Sequence, residues 1–109
     1  IRHNEIKFRD INSGNEPNYD TFVISIENKK IRDRVIGVLN KTGFGTKNLP
    51  DAFNWHCAYF WEHIDKKIRN KEVTNCYNRL IKCIAIPILV SRPIIDYKNI
   101  ASYINECSE

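Results

Sequence analysis

Phe22–Gly43 reads FVISIENKKIRDRVIGVLNKTG, and the fold class turns on this stretch. Phe22–Glu27 alternates apolar and polar side chains and is rich in β-branched residues, which predicts a strand. Asn28 follows as a helix N-cap, because its side-chain oxygen can accept a first-turn N–H that has no partner within the helix. Ile31, Val35, Val38 and Leu39 then recur at helical spacing. Thr42-Gly43 supplies the stop, glycine being able to take the left-handed conformation just past a helix end. A strand running straight into an amphipathic helix calls for a sheet with helices packed on it.

Outward from this unit the pattern continues. Phe44–Lys47 reads as a further short strand, paired parallel or antiparallel. Leu49-Pro50-Asp51 breaks it and opens a second helix, with Cys57, Trp61, Ile64 and Ile68 on one face and Trp55, Tyr59 and Glu62 on another. A third helix near Glu72–Lys82 carries the stripe Val73, Cys76, Tyr77 and Leu80. Cys83–Val90 (CIAIPILV) reads as a buried strand, with Pro87 straining the ladder or lying at an edge. Ser91-Arg92-Pro93 ends that strand, and Asp96 is placed to cap a last helix bearing Ile100, Tyr103, Ile104 and Cys107. Upstream, Ile1–Asp20 reads as a loop with a short strand at Ile6–Phe8. The order β–α–β–α–α–β–α predicts an α+β domain, a small three-stranded sheet with helices packed on one face.

The chain has 109 residues, which is one domain's worth, since domains usually run ~100–150 residues. It starts at Ile1 and contains no methionine, and the expectation is a piece of a longer polypeptide. No apolar run reaches the ~20 residues that span a bilayer as a helix, so no membrane partner is expected. The net charge of +4 comes from 17 basic and 13 acidic residues. The densest basic stretch, Lys66–Lys71, holds no aromatic ring to stack on a base and is followed at once by Glu72, so no nucleic-acid partner is expected.

Cys57, Cys76, Cys83 and Cys107 lie among aromatic or apolar neighbours, as free cysteines of a core do. Reduced thiols and a cytoplasmic location fit this usage. No CxxC occurs, and His56 and His63 are two helical turns apart, ~10 Å, so no metal site is expected. No nucleophile elbow or phosphate-binding glycine loop is present. The chemistry-bearing residues concentrate in Gly43–His63, GFGTKNLPDAFNWHCAYFWEH, which holds both tryptophans, two of the three histidines and Lys47. Trp55, Tyr59 and Trp61 read either as core aromatics or, interleaved with amides and histidines, as the wall of a ligand site.

This stretch resembles the GIGTK-LPDA--WH-A--W-H segment in the C-terminal part of the DegT/DnrJ/EryC1/StrS family of pyridoxal-phosphate-dependent sugar aminotransferases. Phe22–Gly43 is similar to that family's strand-and-helix lead-in, and Cys83–Cys107 to its closing strand and terminal helix. The resemblance covers about residues 20–107. It departs at Phe44, where the family has an aliphatic residue, and at Cys57-Ala58-Tyr59-Phe60 in a variable stretch; both bear on substrate choice.

The resemblance implies the small C-terminal domain of a fold-type I aminotransferase over residues 21–109. Residues 1–20 would be a loop or the connection to an N-terminal large domain. The Schiff-base lysine and most pyridoxal 5'-phosphate contacts would lie in that large domain, leaving no catalytic residue in this chain and the chain alone inactive. Lys47, Asn54, Trp55 and His56 would line the substrate pocket, Lys47 facing an anionic group. The implied partners are the large domain, a second subunit, glutamate as amino donor and a keto-sugar nucleotide as acceptor. The competing reading from the residues is a stand-alone small-molecule-binding or protein-interaction module without catalysis.

Overall fold

A computed structural model describes residues 6–9, 14, 20–61 and 71–108. Its elements are β1 (Ile6–Phe8), β2 (Thr21–Ile26), α1 (Lys29–Lys41), α2 (Phe53–His56), a 3-10 turn (Ala58–Phe60), α3 (Lys71–Leu80), β3 (Cys83–Pro87) and α4 (Ile94–Cys107). The three strands form one antiparallel sheet in the order β1-β2-β3.

The β2–α1 unit forms as its sequence dictates. Asn28 Oδ1 accepts the backbone N–H groups of Lys30 at 2.9 Å and Ile31 at 3.3 Å, satisfying two first-turn donors. Ile31, Val35 and Leu39 form the buried stripe of α1, with Val38 partly buried beside it. At the far end Thr42 Oγ1 donates to the Val38 carbonyl at 2.7 Å, and Gly43 takes a φ of 82°.

The strand pairing sets the two faces of the sheet. Ile6 lies opposite Ile26, and Ile24 opposite Ile84, with Ile86 next along on the same face. These residues are buried with Ile31, Val35 and Leu39 of α1 and Ile100, Ile104 and Cys107 of α4 in one continuous core. Each fully buried aliphatic side chain of this kind contributes about 1.5–3 kcal/mol by leaving water. The other face carries Val23, Ser25 and Cys83, all half-buried. The described residues thus make an α+β domain in which α1 and α4 cover one face, as expected, while the end of α3 borders the other.

Several expectations need correcting. Phe44–Lys47 is not a strand, and the third strand is β1 instead. The reason lies in the backbone: Gly43, Gly45 and Asn48 all have left-handed φ, which interrupts extended chain. The Gly43 and Gly45 N–H groups are also spent closing α1, on the Asn40 and Leu39 carbonyls. The second helix is one turn long, because Cys57 is extended (φ −97°, ψ 117°), and Ala58–Phe60 continues as a 3-10 turn. Glu62, His63, Ile64 and Ile68, expected on that helix, lie outside the described residues. β3 ends at Pro87, and Leu89 and Val90 are exposed rather than buried. α4 begins at Ile94, so Asp96 lies in its first turn rather than at the cap, where its charge still complements the helix dipole.

Cys76 is exposed, not a core residue, because the stripe of α3 reaches only half-burial, at Val73, Tyr77 and Leu80. Cys57 and Cys107 are buried free thiols and Cys83 is half-buried. No helix among the described residues is long and apolar enough to cross a membrane.

Candidate functional site in the loop between α1 and α3

The chain from Gly43 to Trp61 is held by isolated hydrogen bonds rather than by a ladder. Its first anchor is the outer edge of β3. The Lys47 N–H donates to the Ala85 carbonyl at 2.9 Å, and the Ala85 N–H donates to the Leu49 carbonyl at 3.1 Å. Both polar backbone groups of Ala85 are therefore satisfied by the loop, as a buried residue requires. The Leu49–Pro50 peptide is cis, and Thr46 Oγ1 donates to Asp51 Oδ1 at 2.9 Å across the turn.

A second anchor is Phe44. Its ring meets Tyr97 of α4 edge-on at 5.3 Å, and the Arg92 guanidinium stacks 4.1 Å from its centroid. Tyr97 in turn fixes the turn before α4: the Leu89 N–H donates to its hydroxyl at 2.7 Å. Phe44 is thus a packing residue, held between Tyr97 and Arg92. The third anchor is aromatic. Phe53, Tyr59 and Phe60 meet Tyr77 of α3 at centroid distances of 4.5–5.7 Å.

Between these anchors the loop presents its polar and indole side chains outward. Trp55 is 84% exposed and Asn54 is exposed beside it. Trp61 clamps this turn from behind, its indole N–H donating to the Trp55 carbonyl at 3.0 Å. Trp55, Tyr59 and Trp61 are all exposed to a substantial degree, so the core-aromatic reading fails, most clearly for Trp55. His56 lies in α2, and its side chain is outside the described residues.

Lys47 is placed differently from the other three. Its ammonium lies 2.9 Å from Asp20 Oδ2, just ahead of β2, and the pair is partly open to solvent. That hydrogen bond, with a further one from Thr21, holds the Asp20 carboxyl below the usual aspartate range. The structure thus brings Asn54 and Trp55 together by adjacency and sends Lys47 to the sheet edge. None of the described cavities is lined by Lys47, Asn54 or Trp55.

Sequence reasoning missed Asp20 as the partner of Lys47. The two are far apart in the chain and meet only because the loop borders the sheet, so no spacing rule could have joined them. Among the described residues no three His, Cys, Asp or Glu side chains gather as metal ligands. Nor does Lys47 fit the place of a cofactor's Schiff-base lysine. A cofactor lysine needs a desolvated amine, whereas Lys47 is ion-paired at a partly open surface. No family model, curated protein or solved structure matches the chain.

Proposed function

We propose that this chain is the small C-terminal domain of a pyridoxal-phosphate-dependent aminotransferase that passes an amino group, supplied by glutamate, to a keto-sugar nucleotide. The observation that carries the reading is the sequence motif Gly43–His63, whose residues Asn54 and Trp55 stand out from the surface on a loop anchored at three places. A side chain needed for the core would not be left in water; one needed to close a pocket formed with another domain would be. The cofactor and its lysine belong to the large domain, and the active unit is a homodimer in the cytoplasm.

In this reading Trp55 supplies an apolar wall, with Asn54 and His56 as hydrogen-bonding groups for the sugar. Lys47 holds Asp20 and positions the loop against β3, with its charge still available to attract an anionic substrate. The 109 residues alone give no turnover with pyridoxal phosphate, glutamate and a keto-sugar.

The test is Trp55→Ala in the longer polypeptide carrying this chain. The KM for the keto-sugar nucleotide is expected to rise about tenfold or more, as for loss of a buried aromatic contact, with the glutamate half-reaction unchanged. Equal loss in both half-reactions, or in neither, contradicts the placement of Trp55. Turnover by the 109-residue chain alone contradicts the division of labour. The stand-alone binding module draws on the same exposed Trp55, and it gains if the longer polypeptide has no aminotransferase activity.

A further inference from the structure

The sheet face turned away from α1 and α4 opens onto a hollow of about 640 Å³ between the strands, Leu49 and the end of α3. Val23, Leu49 and Leu80 give it an apolar floor, and Arg9, Arg79 and Lys82 line it with positive charge. Glu27 is the one carboxylate among its described lining residues, and it is committed: Lys82 Nζ lies 2.8 Å from Glu27 Oε2. That bond holds the Glu27 carboxyl below its usual range, so its negative charge is present at neutral pH and is met by Lys82. Cys83 adds no anion, because burial pushes its thiol up.

Arg9 and Arg79 are different. Neither has an ion-pair partner among the described residues. Both stand on anchored backbone. The Arg9 N–H donates to the Val23 carbonyl at 3.4 Å, and the Arg79 carbonyl accepts the Cys83 thiol at 3.3 Å. Two guanidiniums without an ion-pair partner among the described residues therefore border a concave, largely apolar surface.

We propose that this hollow binds a small organic phosphate, its phosphate held by Arg9 and Arg79 and its organic body lying on Val23, Leu49 and Leu80. Each guanidinium offers a planar fork that matches phosphate oxygens two at a time. A phosphate has oxygens enough for both forks, whereas a carboxylate fills one. A bare inorganic ion leaves the floor wet, and a neutral apolar molecule leaves both cations uncompensated. The inference stands apart from the aminotransferase reading: it shares only Leu49 with the segment that carries that reading and uses neither Asn54 nor Trp55.

The experiment titrates the 109-residue chain with ADP, pyrophosphate and adenosine, following backbone amide shifts. ADP is expected to shift the amides of Val23 and Cys83, to bind more tightly than pyrophosphate, and to leave adenosine without effect at the same concentration. Arg9→Gln and Arg79→Gln should each weaken ADP about tenfold or more, the scale of a lost charge-assisted contact. Lys98→Gln, which removes the same charge from α4 on the opposite side of the sheet, should stay within about twofold, as a distant screened charge does. Amide shifts centred elsewhere, or no shift, overturn the site. Equal weakening by Lys98→Gln and Arg79→Gln reduces it to general charge attraction. Equal affinity for pyrophosphate and ADP overturns the role of the apolar floor.

Discussion

The two sides of β3 are held in opposite ways. On one, Ile84 and Ile86 lock into a continuous core with β2, α1 and α4, and nearly every apolar side chain is removed from water. On the other, the loop from Gly43 to Trp61 meets β3 through two hydrogen bonds at Ala85, and aromatic side chains remain on the surface. The first region gets its stability from burial and leaves no side chain free for other work. The second is held by hydrogen bonds and aromatic contacts at its anchors and keeps Asn54 and Trp55 exposed between them. That division is the physical basis for looking to the loop, rather than the core, for function.

The sharpest way to break this contrast is to cut into the core. Ile24→Ala or Ile104→Ala, both at fully buried positions, should lower stability by about 2–5 kcal/mol in urea denaturation, the range for large-to-small core substitutions. A cost below that range would mean that the core is less tightly packed than its burial implies. Asn28→Ala removes the cap of α1 and should cost about 1 kcal/mol, read as a lower urea midpoint with an unchanged slope.

Acid titration probes the loop's ion pair and should have a smaller effect. Asp20 has a folded pKa below its ordinary value of 3.8, with Lys47 as the main cause. Its contribution is therefore fully present above that ordinary value and is lost as pH falls through the lower folded value. Lys47→Gln should flatten stability against pH in this acid window and lower the neutral plateau by the same small amount, leaving stability below the window unchanged, as expected of a solvent-screened pair. An unaltered acid limb would show that the pair does not form in solution. The smallest effect belongs to Trp55→Ala, which should change stability by no more than about 0.5 kcal/mol, as exposed substitutions do. A larger loss would place Trp55 in the folding core and remove the argument for its function.

The same contrast explains what could be read from the chain. Where burial on one face dictates residue type, periodicity reports structure: β2, the Asn28 cap, the stripe of α1 and Ile100, Ile104 and Cys107 of α4 follow from spacing, whereas Tyr103, expected with them, is exposed. Where isolated hydrogen bonds decide, it does not. Phe44–Lys47 has the composition of a strand, but the left-handed residues at Gly43, Gly45 and Asn48 redirect it. Cys83–Val90 is uniformly apolar, and only Pro87 hinted that its second half would leave the sheet. Cys76 fitted a helical stripe but lies on a helix whose apolar side is half covered among the described residues. At the candidate site, the grouping of Asn54 and Trp55 was legible because they are neighbours. The pairing of Lys47 with Asp20 was not, since it depends on tertiary placement.

The most direct test of the central claim is the visible spectrum of the longer polypeptide carrying this chain, purified with pyridoxal phosphate and mixed first with glutamate and then with a keto-sugar nucleotide. The account predicts a cofactor absorbance band that glutamate bleaches and the keto-sugar nucleotide restores. A polypeptide that binds no pyridoxal phosphate, or whose band glutamate leaves untouched, would contradict the aminotransferase reading and leave the exposed loop as the face of a binding module.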